Sequence, residues 1–130
     1  MGGGRKKWWS GEALAARRED LRRRGALMAV LRDFFASRDF VEVETPALQV
    51  SPGLEPHLKA FATKLEDPFG GDDRPMYLHP SPEFAMKKLL AAGESKIFQI
   101  CHVFRDGEDS KIHHPEFTLL EWYRAGKDYT

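Results

Sequence analysis

The sequence predicts an α+β fold in which helices flank an antiparallel sheet. Three patterns support this prediction. Apolar residues recur at spacings of three and four within 21–38, which is typical of a helix with one buried face. Residues 40–46 alternate apolar and polar side chains until a proline, as a strand does. Two stretches around 97–104 and 116–124 bracket a charged loop and predict an antiparallel hairpin.

The composition limits the class of protein. A chain of 130 residues that is 42% hydrophobic and 31% charged suits one soluble globular domain. Twenty basic residues balance twenty acidic ones, so the net charge gives no argument for nucleic acid, although residues 1–21 form a basic extension. The single Cys101 cannot form an internal disulfide. No apolar run is long enough for a membrane helix, so we expect a cytoplasmic protein without a membrane partner.

The first half of the chain reads as one helix, one strand and a long connection. Ser10 gives a helix start signal, and the helical pattern becomes denser over 21–38. The strand 40–46 follows. Residues 47–74 are predicted to be irregular, with one strand near 58–65. The apolar residues expected on the buried face of the helix are Leu27, Val30, Leu31, Phe34 and Phe35.

The second half begins with a strand at 76–79. Ser81 suits the N-cap of the next helix, Pro82 its first position and Glu83 its first turn. The helix is expected to run over 84–92 until Gly93, and the hairpin follows.

The hairpin carries the residues with chemical potential. Arg105 closes a strand that is predicted to be buried, and its planar guanidinium can bind phosphate and carboxylate oxygens together. In the next strand, alternation places Phe117, Leu119, Glu121 and Tyr123 on one face. Taken singly, such residues are more often core or solvated surface. Together they suit a site that grips a polyphosphate and an amine.

Other catalytic arrangements are disfavoured. Cys101 and His102 are neighbours in a strand and point to opposite faces, which disfavours a nucleophile and base pair. His113 and His114 lack the spacing of metal ligands, so no metal site is predicted with certainty. The phosphate-binding loop G-x-x-x-x-G-K-[ST] is absent, so ATP would bind through another fold.

The hairpin run F-R-D-G-E-x5-H-P-E-F-T-x2-E-W-Y-R resembles motif 2 of class II aminoacyl-tRNA synthetases of the lysyl type. It resembles above all their shortened relatives that ligate (R)-β-lysine to elongation factor P. Residues 22–46 resemble motif 1, which forms the homodimer interface in that family. The resemblance implies that residues 22–130 are the N-terminal portion of a class II catalytic domain, truncated after motif 2.

The resemblance also implies a role for each matching residue. The implied catalytic residues are Arg105 and Glu121; those for ATP are Arg105, Asp106, Gly107, Glu108, His114 and Phe117; those for the amino acid are Ser81, Pro82, Glu83 and Tyr123. The chain departs from the family where Asp106 and Gly107 replace the usual Asn and Glu, and where His114 replaces Asn. Glu108 could supply the displaced carboxylate, since glycine lets the backbone turn before it.

The implied function is a ligase. ATP, with Mg²⁺, would activate lysine or (R)-β-lysine as an adenylate, which is then transferred to a lysine of elongation factor P. A lysyl-tRNA synthetase is the alternative, but only about two dozen residues precede motif 1, whereas an anticodon-binding barrel needs on the order of a hundred. Transfer RNA is therefore the weaker partner.

The third family motif, with its second ATP-binding arginine, is not found before the chain ends at Thr130. We therefore expect an incomplete fragment that binds substrates weakly. A noncatalytic synthetase-like binding module stays open as a further hypothesis. So does the choice between lysine and β-lysine.

Overall fold

The computed structural model describes residues 7–53, 57–107 and 113–126. The chain divides into two compact units, residues 1–38 and residues 39–130. None of the helices in the described ranges is both long and apolar enough to cross a membrane. In chain order, the elements of the described part are α1 (Gly11–Ala36), β1 (Val41–Glu42), β2 (Leu48–Gln49), β3 (Phe61–Leu65), β4 (Arg74–Leu78), α2 (Glu83–Ala91), β5 (Lys96–Phe104) and β6 (Glu116–Arg124).

The first unit contains the long helix α1. The Ser10 hydroxyl accepts a hydrogen bond from the backbone N–H of Ala13 at 3.1 Å, which confirms the predicted start signal. The helix then runs without interruption across residue 21 and ends at Ala36. The two helical patterns in the sequence therefore form one helix, and the predicted boundary at residue 21 lies inside it.

Three of the residues predicted on the apolar face of α1 have exposed side chains. Phe35 is buried, with 4% of its surface exposed. Leu27, Val30 and Phe34 are instead 57%, 63% and 46% exposed. An apolar stripe of this kind is unusual on a surface that meets only water.

The described residues of the second unit form two three-stranded sheets. In the first, ordered β1-β5-β6, the antiparallel pairing of β5 and β6 runs from Lys96 opposite Arg124 to Phe104 opposite Glu116. The predicted hairpin is thus confirmed. The strand predicted over 40–46 is shorter, because only β1 enters the ladder and it pairs parallel to β5. The backbone N–H of Val43 still donates to Phe98, after which the chain turns away toward Pro46.

The second sheet, ordered β2-β4-β3, was only partly predicted. The interpretation of 47–74 as irregular missed β2, which is just two residues long and gives no periodicity to read. Strand β4 begins at Arg74, earlier than predicted, although Pro75 lacks a donor. A proline is tolerated here because β2 pairs only with Tyr77 and Leu78 of β4. On the β2 side of the sheet, Pro75 therefore has no strand partner to which it would have to donate a hydrogen bond.

Helix α2 spans Glu83–Ala91, so it begins and ends one residue before the predicted range 84–92, while its N-cap lies one residue after the predicted Ser81. Pro82 is the N-cap rather than the first helical residue, and it makes no side-chain capping bond. The Ser81 hydroxyl still accepts from the backbone N–H of Glu83 at 3.0 Å, so it stabilises the helix start from outside the N-cap position. Gly93 follows the helix with a φ of 124°, as a helix-ending glycine should.

The core of the second unit contains α2, β4 and β5. Its buried apolar residues include Met76, Met86, Ile97, Phe98 and Val103. Of the run predicted to be buried in β5, Ile97, Phe98 and Val103 are buried and Ile100 is half-buried.

Candidate active site

Three segments of the second unit meet at the candidate site: residues 80–83 between β4 and α2, residues 105–107 after β5, and β6. The backbone N–H of Phe104 donates to the carbonyl of His79 at 3.1 Å, which ties the end of β5 to the end of β4. The two sheets are joined at this point. The turn that follows β4 therefore lies beside the turn that follows β5.

Arg105 is held in place by backbone carbonyl contacts. Its Nε donates to the carbonyl of Pro80 at 3.1 Å, and its backbone N–H donates to the carbonyl of Pro115 at 2.8 Å. Its guanidinium carbon lies 5.0 Å from the centre of the Phe117 ring. The two Nη groups of Arg105 have no hydrogen-bond acceptor among the described residues. The Nε contact therefore orients the guanidinium, while its Nη hydrogens remain available to bind a ligand.

Glu121 is the centre of a second group of contacts. Ser81 Oγ donates to Glu121 Oε1 at 2.8 Å, and Tyr123 Oη donates to Glu121 Oε2 at 2.8 Å. All three side chains are half-buried, whereas Trp122 between them is 56% exposed. The face predicted from alternation along β6 is therefore confirmed, although the chemical roles assigned to it stay predictions.

A cavity of about 620 Å³ adjoins this network. Ser81 and Glu83 line it together with part of α2 and with Gln49, Ser51, Pro52 and Gly53. Its size lies within the ordinary range for small-molecule sites. One oxygen of Glu83 is 2.5 Å from Nζ of Lys87, one turn further along α2. Glu83, which is predicted to bind the ammonium group of the substrate, thus already contacts the ammonium group of Lys87 on the same helix.

Other predicted nucleotide-binding residues lie apart from this arrangement. The backbone N–H of Asp106 donates to the carbonyl of Lys59 at 2.8 Å, and its carboxylate lies 3.8 Å from Lys59 Nζ. Gly107 has a φ of 83°, which explains a glycine at this turn. His114 is exposed and has no described contact with the other predicted residues. Glu108 lies outside the described residues.

The arrangement fits a nucleotide better than it fits a metal cage. Arg105 offers donors to phosphate oxygens, and Phe117 offers an aromatic surface to a base. The guanidinium covers one face of the ring, so stacking requires the other face or a shift of Arg105. Within residues 7–53, 57–107 and 113–126, three or more His, Cys, Asp or Glu residues nowhere converge as a metal site would need.

Sequence reasoning missed two buried polar residues beside the site. His79 is 3% exposed and Gln99 is 1% exposed. Gln99 stands opposite Glu121 in the ladder and accepts a hydrogen bond from Thr45 Oγ1 at 2.9 Å. Its Nε2 has no partner among the described residues. A polar residue inside the apolar run of β5 was the signal that could have identified it.

Cys101 lies on the same face of the β1-β5-β6 sheet as Gln99 and Glu121. Burial, with a smaller contribution from the negative charge of Glu121, raises the pKa of its thiol to about 11. A thiol with so high a pKa carries little thiolate at neutral pH. The raised pKa is a second argument against Cys101 and His102 as a nucleophile and base pair, beside their opposite faces.

Comparison with known proteins finds relatives and a matching family model for this chain. Three relatives are each named elongation factor P–(R)-beta-lysine ligase. The protein from Haemophilus ducreyi is 49% identical over 110 residues, which cover 85% of this chain and 34% of that protein. The protein from Photobacterium profundum is 42% identical over 111 residues, again 85% and 34%. That from Vibrio parahaemolyticus is 46% identical over 111 residues with the same coverage.

The chain therefore spans about a third of the length of the curated relatives it matches. The family model described as tRNA synthetases class II (D, K and N) matches residues 13–130, which is most of the chain and includes the whole candidate site. This chain belongs to the class II tRNA synthetase family of the D, K and N type.

Proposed function

We propose that this chain takes part in ATP-dependent activation of (R)-β-lysine or lysine and its ligation to a lysine of elongation factor P. The observation that carries the proposal is the placement of Arg105 over Phe117, next to the hydrogen-bonded group of Ser81, Glu121 and Tyr123. The shared name of the relatives supports the choice of substrates. A lysine-tRNA ligase has no specific observation in its favour.

The proposed chemistry has two steps. A carboxylate oxygen of the amino acid attacks the α-phosphorus of ATP, the bond to the bridging oxygen breaks, and pyrophosphate leaves. The lysine amine of the acceptor then attacks the acyl carbon, loses a proton, and AMP leaves. Both steps develop negative charge on phosphate oxygens, which a preorganised guanidinium stabilises.

Arg105 is proposed to hold the carboxylate and the α-phosphate together. Its Nε is engaged by Pro80, so the fork does not have to be ordered when the substrates bind. Phe117 is proposed to contact the adenine, and Asp106, Gly107, Glu108 and His114 stay candidates for further nucleotide contacts. Bound Mg²⁺ would neutralise phosphate charge, and Glu121 is the carboxylate of this chain proposed to approach it.

The amino acid is proposed to bind at Ser81, Pro82, Glu83 and Tyr123. Glu83 lines the cavity and is the anionic partner for a substrate ammonium. Because Lys87 contacts the same carboxylate, the incoming amine has to compete with it. Exposed pairs of this kind contribute little, so displacing Lys87 costs little.

We also propose that the protein acts as a homodimer through residues 22–46, because the apolar side of α1 in that segment is open. Its proposed acceptor is a translation factor, so we propose the cytoplasm as its compartment. A single cysteine is compatible with that reducing environment.

The test is exchange of pyrophosphate into ATP that depends on lysine or (R)-β-lysine. It would use this chain and a chimaera in which the remaining part of one of the relatives follows it. Arg105→Ala should lower exchange by about 10²-fold or more, as the loss of one preorganised contact does. Arg105→Lys should restore only a small part, since lysine cannot present a fork.

Arg124→Ala is the matched control, because Arg124 is an exposed arginine on β6. It should leave exchange unchanged. Equal exchange in Arg105→Ala and wild type would contradict the proposed role of Arg105. A chimaera without any exchange would contradict the proposed function.

A further inference from the structure

His79 joins the two sheets of the second unit. Its backbone N–H donates to the carbonyl of Ala47 at 2.8 Å, and its carbonyl accepts from Phe104. Its side chain reaches in the same direction, since Nε2 lies 2.7 Å from the carbonyl oxygen of His102. Main chain and side chain together fix the position of the ring.

These contacts also fix the tautomer of the neutral ring. A carbonyl oxygen can only accept, so the hydrogen of the His79 ring must be on Nε2. Nδ1 then carries a lone pair and can only accept a hydrogen bond. Among the described residues this buried atom has no partner. An unsatisfied buried acceptor is costly, which is why such atoms are rare away from functional sites.

The cavity beside the candidate active site offers a source for the missing donor. His79 lines it together with Ser81 and Glu83. Lys87 and Lys88 line it too, so an entering cation meets two positive charges against the one carboxylate of Glu83. An ammonium group has three donors and needs more acceptors than one shared carboxylate supplies.

We propose that Nδ1 of His79 accepts a hydrogen bond from the ammonium of the amino-acid substrate that Glu83 binds. His79 is then a specificity-determining residue for a primary ammonium. The inference rests on the proposed function, because it deepens the account of the same cavity. A substrate without that amine would leave the carboxylate and the ring nitrogen unpaired together, which is how a buried polar site rejects an analogue.

Two substitutions separate this role from the structural one. In His79→Gln the amide nitrogen can still donate to the carbonyl of His102, but no acceptor stands where Nδ1 was. In His79→Asn the shorter amide places its oxygen near the former Nδ1, while the contact with His102 is lost. Glutamine thus keeps the structural contact and asparagine keeps the acceptor.

The experiment is a titration of this chain with lysine and (R)-β-lysine, followed by nuclear magnetic resonance of the histidine ring nitrogens. In the wild type we expect the His79 Nδ1 resonance to move on binding and the Nε2 resonance to stay. His79→Gln should keep the wild-type unfolding midpoint and lose about tenfold in affinity, the size of one hydrogen bond to a charged group. His79→Asn should unfold more easily and keep its affinity within about threefold.

The outcomes separate the two proposals. The role of His79 alone is overturned if the affinity of the two variants falls in proportion to their loss of stability. It is also overturned if the wild-type chain binds lysine or (R)-β-lysine while the Nδ1 resonance does not move. If neither compound binds the wild-type chain, the amino-acid site proposed for this chain fails and the role of His79 fails with it.

Discussion

Arg105 shows how a single residue can be ordered without losing its charge. Its Nε is fixed by a backbone carbonyl, and none of the described carboxylates forms a salt bridge with it. A carbonyl orients the guanidinium but leaves its positive charge uncompensated. A carboxylate in the same place would have neutralised the charge before any phosphate arrived.

The pKa of Cys101 is sensitive to the negative charge of Glu121 on the same face of the sheet. Since its pKa is raised to about 11 and the unfolded value is 9.0, the thiol favours the folded state while it is protonated. That contribution to stability is complete below pH 9 and is lost as the pH rises through about 11. Because the thiol is only half-buried, the effect on stability is small.

We predict that Cys101 reacts slowly with iodoacetamide in the folded protein and much faster after denaturation. Glu121→Gln should increase the folded-state rate, because the carboxylate is the smaller of the two causes of the raised pKa. The increase should be less than that on denaturation, since burial persists. Glu116→Gln, an exposed change on β6, is the control. Equal rates for the wild type and Glu121→Gln would show that the charge of Glu121 does not reach the thiol.

At the scale of secondary structure, one carboxylate links two elements. Glu121 on β6 accepts from Ser81 before α2 and from Tyr123 on its own strand. Ser81 also accepts from the first backbone N–H of α2. The start of the helix is therefore attached to the central part of the hairpin strand.

We predict that Ser81→Ala lowers the free energy of unfolding by about 2 kcal/mol and Tyr123→Phe by about 1 kcal/mol, because serine loses two contacts and tyrosine one. The double variant should cost less than the sum by at least about 0.5 kcal/mol, since both hydroxyls orient the same carboxylate. Urea unfolding measures all three variants.

Thr63→Ala provides the reference for this cycle, because Thr63 is exposed on β3 in the other sheet. Combined with Ser81→Ala it should be additive. Strict additivity of Ser81→Ala with Tyr123→Phe would mean that the carboxylate does not couple the two hydroxyls.

The sequence predicted those elements whose pattern is long enough to read. Helix α1 and the hairpin were found because their periodicity extends over many residues. Strand β2 was missed because two residues have no period, and the early start of β4 was hidden by Pro75. The hairpin face of Phe117, Glu121 and Tyr123 followed from alternation.

Contacts between distant parts of the chain were beyond such patterns. The hydrogen bond from Ser81 to Glu121 joins residues 40 positions apart. Alternation says which face a residue occupies, but it does not say which loop will lie over that face. His79 and its unpartnered nitrogen became visible only when the end of β5 was seen against the end of β4.

At the scale of the whole molecule, the exposed apolar residues of α1 predict a contact with another protein surface. Leu27, Val30 and Phe34 would not remain in water without cost, since each buried side chain of this type contributes about 1.5 to 3 kcal/mol. Residues 22–46 are therefore the predicted dimer contact, and a second copy is the proposed occupant.

We predict that Val30→Glu converts a dimer to a monomer at micromolar concentration, because it places a charge within the apolar contact. Sedimentation velocity measures the change. Ala16→Glu, which adds the same charge at an exposed position of α1 outside residues 22–46, should leave the dimer intact. A wild-type chain that sediments as a monomer at tens of micromolar would argue against the dimer.

The parallel pairing of β1 with β5 has a consequence for the order in which the site is assembled during folding. The hairpin of β5 and β6 closes a short loop, whereas the bond from Thr45 to Gln99 spans 54 positions. Two doublings of loop length cost about 1 kcal/mol more in entropy, so the hairpin forms earlier. Arg105, Phe117 and Glu121 are then already on one nascent unit. Ser81 joins Glu121 across 40 positions and Thr45 joins Gln99 across 54, so the hydrogen bond from Thr45 to Gln99 marks the later of these two folding steps.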